Sequence, residues 1–212
     1  MTDAGETRSY AVVHETRYGY EQPVGLSRQL VRLAPRTTAW QVCRAHALAV
    51  RPEPEILGSG VDVFGNGLPS LCIEADHASL AVRAESWVDV SARALPEEAA
   101  TPPWDEVRDR LVYRAGRRPR PADLEAMRFL FESTRVRNKR DLAAWAAPCF
   151  PHKAPLLAGV RRLMERIHDD FAFDPKATTV STPVMVVCRG RRGVCQDFAH
   201  LMLSCLRSIG LA

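Results

Sequence analysis

Apolar side chains recur at every second position from residue 8 to about residue 95, and at three- and four-residue intervals after that. A period of two predicts strands and a period near 3.6 predicts helices, so the pattern reads as a β-rich half followed by a helical half. In "SYAVVHETRYGY", Tyr10, Val12, His14, Thr16, Tyr18 and Tyr20 share one face while Glu15, Arg17 and Glu21 take the other. The alternation returns in "WQVCRAHALAV" (Trp40, Val42, Leu48, Val50). It returns again in "SLAVRAESWVDV", with Leu80, Val82, Ala84, Val88 and Val90 against Arg83, Glu85 and Asp89. "GVDVF" running into "GNG" at 65 to 67 predicts a strand entering a hairpin, with Asn66-Gly67 supplying the positive φ of a type I′ turn. Several short strands of this kind predict an antiparallel β-sandwich.

"LPEEAATPP" breaks the pattern and predicts a linker. Beyond it, Thr101-Pro102-Pro103 opens a helix with Trp104, Val107 and Leu111 on one face. Leu124, Met127, Leu130 and Phe131 mark a second helix, and "DLAAWAA" a third that stops at Pro148. Leu156, Leu157, Val160, Leu163, Met164, Ile167 and Phe171 trace a long amphipathic helix. "DPKATTVSTPVMVVC" reads as an extended connection to the basic turn "RGRR". The expected fold class is α+β, with a β-rich region over 8–95, a helical linker over 96–150 and a further helical region over 151–212.

Apolar residues at 46% and charged residues at 25% are ordinary for a globular protein of 212 residues. The net charge of +4 is almost all arginine. It is interspersed with acids except in "RAGRRPR", "RVRNKR" and "RGRR", a pattern that favours a solvated surface over a nucleic-acid footprint. No apolar run approaches the roughly 20 residues that span a bilayer, and "MTDAGETRSY" lacks a charged, then apolar, leader pattern, so no membrane partner and a cytoplasmic location are expected. Six cysteines without a CxxC pair argue for a reducing compartment and against a zinc ribbon. His14, His46 and His77 are not spaced as metal ligands. Neither a metal nor a cofactor is expected.

The last stretch, "GRRGVCQDFAHLMLSCLRSIGLA", predicts a helix from about 194 to 209, opened by Gly193 and closed by Gly210. At 100° per residue, Leu201, Cys205, Phe198, Ile209, Met202, Leu206, Ala199 and Leu203 form an apolar arc of about 200° that includes Cys195. Gln196, Arg207, His200, Ser204, Asp197 and Ser208 form the polar remainder. Such a helix is expected at the centre of a fold. Cys195 falls in the first turn, where free N–H groups, the helix dipole, Arg191 and Arg192 favour a thiolate, and burial in the apolar arc opposes one. On these grounds a nucleophile and a buried structural cysteine both remain open.

"RRGVCQDFAHLMLSCLRSIGLA", with "ATTVSTPV" at 177 to 184 and "MERIHDDFAFDP" at 164 to 175, resembles the first half of the catalytic core of the bacterial transglutaminase-like cysteine enzymes, which have a papain-like core. "HETRYGYEQPVGLS", "LAPR", "DVFGN" and "HASLAV" resemble the β-rich N-terminal domain that precedes that core. The resemblance implies that Cys195 is the nucleophile. It would attack a peptide amide or glutamine carboxamide to give a thioester that an amine or water resolves, with a peptide or protein as substrate.

The resemblance also places a histidine base and an aspartate well downstream of the cysteine, where this chain offers only Gln196 to Ala212. His200 and Asp197 point away from the thiol on the wheel, and His152 and His168 precede it. A regulatory disulfide between Cys188 and Cys195 is weaker than an incidental thiol at 188. The expectation is therefore a truncated, inactive enzyme, with Phe198, Met202, Leu206 and Ile209 left without partners and an apolar face of the Cys195 helix open to self-association. The competing expectation is a non-catalytic binding or scaffold protein that uses the β-rich domain.

Overall fold

The computed structural model describes residues 6–94 and 96–212, so the first five residues of "MTDAGETRSY" and Leu95 of the linker lie outside it. The fold class is α+β, and the chain divides at the Leu95–Pro96 junction into two compact units. No described helix is long and apolar enough to cross a membrane.

The first unit contains β1 (Thr7–Val24), β2 (Ser27–Leu30), β3 (Gln41–Arg51), β4 (Glu55–Val61), β5 (Gly67–Ile73) and β6 (His77–Ser91). They form two antiparallel three-stranded sheets, β1-β6-β3 and β2-β5-β4. The alternation read in the sequence selects the faces. Leu80, Val82, Ala84, Ser86 and Val88 of β6 are buried, whereas the intervening Arg83 pairs with Glu15 and Glu85, and Asp89 accepts from Ser9 and Arg44. Register matters here because a one-residue slip would exchange the two faces. Leu80 sits opposite Tyr18 and Val82 opposite Val50, and together with Ile73 they pack into a core with Tyr20, Leu33 and Leu48.

The β4–β5 turn differs from the expected one. Strand β4 stops at Val61, and the positive φ (+82°) falls on Gly65 rather than on Asn66 or Gly67. Gly65 N–H donates to Asp62 O at 2.9 Å. The Asp62 carboxylate accepts from the Phe64 and Asn66 N–H groups and from Asn66 Nδ2, at 2.9, 2.9 and 3.0 Å. These bonds, Asn66 foremost, hold the carboxyl at a pKa of about 2. An aspartate bonding backbone two and four residues on outcompetes the two-residue turn that Asn-Gly alone suggests.

The second unit contains α1 (Trp104–Leu111), α2 (Pro121–Met127), α3 (Arg140–Ala146), α4 (Leu156–Asp170), β7 (Ala172–Phe173), α5 (Val184–Gly190), β8 (Arg192–Gly193) and α6 (Cys195–Ser208). Helix α6 packs against α3, α4 and α5. Leu142, Leu163, Ile167, Val187, Leu201 and Cys205 meet in one core. Helix α4 comes unusually close to Phe150 because Gly159 has no side chain; a Cβ there would lie 2.4 Å from the ring.

Two expected elements change. Helix α2 ends at Met127, leaving Leu130 and Phe131 in the turn that follows, with Phe131 73% exposed. The connection read as extended is helical from Val184 to Gly190. Its valines favour strands in isolation, but a helical turn buries both Val184 and Val187 against the core, and burial outweighs intrinsic propensity.

Candidate active site

Cys195 is the first residue of α6, and the segment before it is held on both sides. Helix α5 ends at Arg191 in the left-handed region (φ +51°), and Arg192–Gly193 then pairs in parallel with Ala172–Phe173. Ala172 N–H donates to Arg191 O and Asp174 N–H to Gly193 O, both at 2.9 Å. Val194 follows in an extended conformation as the N-cap residue.

Valine has no side-chain acceptor, so the usual capping bond to the third helical N–H is not made by the cap residue. Asp197 supplies the reciprocal half. Its Oδ2 accepts the Val194 N–H at 2.9 Å and the Thr178 hydroxyl proton at 2.6 Å. The Asp197 carboxylate is 3% exposed. It fits because position 193 is glycine; a Cβ there would lie 2.8 Å from Oδ2 and 3.0 Å from the Asp197 Cβ. Neither Gly193 nor Thr178 stands out as a supporting residue in the sequence. The signal for the first is a glycine four residues ahead of an acid at the third helical position.

The wheel placed Asp197, Ser204 and Ser208 on an outer polar arc; the structure buries Asp197 and Ser204 and leaves Ser208 partly buried. Ser204 is fully buried. Its Oγ accepts the Arg137 N–H at 3.1 Å, and Ser208 Oγ accepts the Lys139 N–H at 2.9 Å. Four residues of helix rise about 6 Å and two residues of extended chain rise about 6.6 Å, so serines at i and i+4 match alternate N–H groups of a strand-like segment.

Phe198, Met202 and Ile209 pack against the core and Leu206 is buried, so the four residues expected to lack partners have them. The open part of the apolar arc is narrower. It carries Cys195, Ala199 and Leu203, the last 40% exposed.

The Cys195 thiol is therefore exposed at a helix N-terminus. The N–H groups of the first turn have no intrahelical acceptors and carry the positive end of the dipole. The two flanking arginines contribute less than their charge suggests. Arg191 pairs with Asp170 at 2.9 Å and holds that carboxyl below the usual range, and Arg192 lies 3.6 Å from Asp174.

Among the described residues, no hydrogen bond reaches Cys195 Sγ. His200 lies five positions along α6, about 140° around the axis from the thiol. His152 Nδ1 is 2.7 Å from Asp105, and His168 is in the last turn of α4. His14, His46 and His77 bond Thr16, Ser86 and the Ala75 carbonyl within the first unit. No described group of three or more His, Cys, Asp or Glu side chains could hold a metal ion. Cys188 is a free thiol, pushed up in pKa mainly by burial.

Residues 10–89 match the family described as the bacterial transglutaminase-like N-terminal region, and residues 143–212 match the transglutaminase-like superfamily. An uncharacterized protein of Mycobacterium tuberculosis (strain ATCC 25618 / H37Rv) is 35% identical over 97% of this chain and 64% of its own length. One of Mycobacterium leprae (strain TN) is 26% identical over 94% of this chain and 67% of its own. The chain thus spans about two thirds of the length of these relatives. The crystal structure of a candidate cysteine protease from Cytophaga hutchinsonii superposes with a TM-score of 0.76 over 98% of this chain and 65% of that one, at 17% identity, a likeness of fold.

Proposed function

With a bacterial transglutaminase-like N-terminal region and a transglutaminase-like core segment, this chain is a member of the transglutaminase-like superfamily, and we propose that Cys195 is its acyl-transfer nucleophile. The observation that carries this is the position of the thiol, exposed at the first residue of a half-buried helix whose N-cap N–H is bonded by Asp197, with first-turn N–H groups that have no intrahelical acceptor.

The thiolate sulfur attacks the carbonyl carbon of a peptide amide or glutamine carboxamide. The developing oxyanion lies at the N-terminus of α6, and in other enzymes one oxyanion-hole donor contributes about 3–4 kcal/mol to the transition state. The C–N bond breaks, the amine leaves with a proton from a general acid, and the resulting thioester is opened by an amine or by water. The chain supplies the nucleophile, the helix terminus and, in Asp197, Thr178 and Gly193, the residues that fix them. An imidazole must take the thiol proton and deliver it to the leaving amine, and we assign that role to polypeptide outside these 212 residues.

The test compares the 212-residue chain with a version extended to the length of the mycobacterial relatives, in amine-incorporation and amidase assays. Turnover is expected only in the longer protein, and Cys195→Ala should abolish it. Turnover by the 212-residue chain that is lost in Cys195→Ala would overturn the assignment of the base. Turnover by the longer protein that survives Cys195→Ala would overturn the assignment of the nucleophile.

A second reading, a binding module built on the β-rich unit, draws support from the exposure of Tyr10 and Val12 on the same face of the sheet as the buried Val88. Light scattering separates the two, since a strict monomer would count against homotypic association through that face or through Leu203.

A further inference from the structure

Of the three arginine-rich runs in the sequence, two are committed to the fold. In the first, Arg117 donates to the Asp109 and Val112 carbonyls at the end of α1, and Arg120 forms a two-bond pair with Asp123. In the third, Arg191 and Arg192 face Asp170 and Asp174. The second run, "RVRNKR", is different. Its backbone is pinned along α6 by Ser204 and Ser208, and Val136 turns into the protein. Arg137 and Lys139 therefore fall at alternate positions of an extended segment, Arg135 lies in the turn that the Ser133 N–H closes on the Val136 carbonyl, and all three line one cleft of about 340 Å³.

Ser181 and Thr182 also line the cleft, their hydroxyls bonded to Thr179. Glu132 shows what the cleft accepts. Its carboxylate takes the Asn138 N–H at 2.8 Å and lies 3.4 Å from Arg137. Among the described residues, neither Arg135 nor Lys139 makes an ion pair. No aromatic ring lines the cleft, which removes the stacking platform that single-stranded nucleic acids use.

We infer that this cleft binds an extended acidic peptide, with separate carboxylates meeting Arg135 and Lys139, four positions apart in the sequence, and the peptide backbone lying along Ser181 and Thr182. The two-residue repeat of an extended chain, about 6.6–6.8 Å, relates Arg137 to Lys139 and also spaces the carboxylates of such a ligand. This site does not depend on the assignment of Cys195.

The test is fluorescence anisotropy at low and high salt, using the 212-residue protein and a labelled alternating Glu–Ser peptide, with the matching Gln–Ser peptide and an oligothymidine as competing ligands. Saturable, salt-sensitive binding of the Glu–Ser peptide is expected, at least about tenfold tighter than Gln–Ser. The double variant Arg135→Gln/Lys139→Gln should lose at least about tenfold in affinity while keeping the parent melting temperature, because Lys139 is exposed, Arg135 is only partly buried and neither makes an ion pair among the described residues. The charge-preserving pair Arg135→Lys/Lys139→Arg should retain binding, and Arg189→Gln, on an exposed arginine outside the cleft, should change nothing. No binding, equal binding of Gln–Ser, or unchanged binding by the double variant overturns the proposal. Tighter binding of oligothymidine through Arg135 and Lys139 overturns it in favour of a nucleic-acid site.

Discussion

Thr178 gives its hydroxyl proton to Asp197 Oδ2 at 2.6 Å, and the same oxygen takes the Val194 N–H at 2.9 Å. One buried carboxylate oxygen thus ties the loop ahead of α5 to the start of the cysteine helix. Residues two positions from the thiol set where it sits without touching it.

Removing that carboxylate should leave a partly buried N–H and a partly buried hydroxyl without acceptors. Asp197→Ala is expected to lower unfolding free energy by about 1–3 kcal/mol, and Asp197→Asn, which keeps an acceptor oxygen, by less. Gly193→Ala should cost a similar 1–3 kcal/mol, roughly, by driving a methyl group into the same oxygen. Urea unfolding of the three variants checks this order, and an Asp197→Ala protein as stable as the parent would falsify the capping account.

Exposure divides the cysteines. Cys195 is exposed, whereas Cys72 is 2% exposed and Cys149 and Cys205 are also buried. Under brief iodoacetamide treatment of the folded protein, peptide mass spectrometry should find Cys195 carbamidomethylated at least about tenfold faster than Cys72, Cys149 or Cys205, and faster than the partly exposed Cys43. Equal labelling of Cys195 and Cys72 would show that the α6 N-terminus is covered in solution.

Cys205 provides a pH signature of the core. Burial raises its thiol pKa to about 12. In the unfolded chain a cysteine ionises near 8.5, so the folded form holds a proton that the unfolded form releases. The contribution of Cys205 is complete below about pH 8.5 and is lost as pH rises toward 12, a change on the order of a few kcal/mol. Melting of the parent should therefore fall more steeply between pH 8 and pH 11 than melting of Cys205→Ala. Parallel curves for the two proteins would contradict this burial effect.

The faces of β6 were legible in the sequence because the alternation of side chains along a strand is a local, period-two property: Leu80, Val82 and Val88 go inward and Arg83 and Glu85 outward. In β1 the same alternation is present, yet Tyr10, Val12 and Tyr18 stay about half exposed, because burial also needs an element to cover the face. The ends of α6 were legible for a local reason too. Gly210 adopts φ +85°, and the Gly210 and Leu211 N–H groups close on the Arg207 and Leu206 carbonyls at 3.0 and 2.9 Å, a motif that glycine announces. The helix from Val184 to Gly190 was not legible, because its valines are indifferent to helix until Val184 and Val187 find a core to enter.

What the sequence alone determined is the β-then-helix order, the faces of β6 and a cysteine opening a helix, since each follows from spacing along a few neighbouring residues. Only tertiary structure decided which side of that helix is buried. Polarity read on a wheel put Asp197 and Ser204 outside, but Val194, Thr178 and the Arg137–Lys139 backbone bring donors to exactly those positions of the chain that a wheel cannot see. A polar group is buried when a partner distant in sequence arrives to satisfy it, and that arrival is a property of the fold.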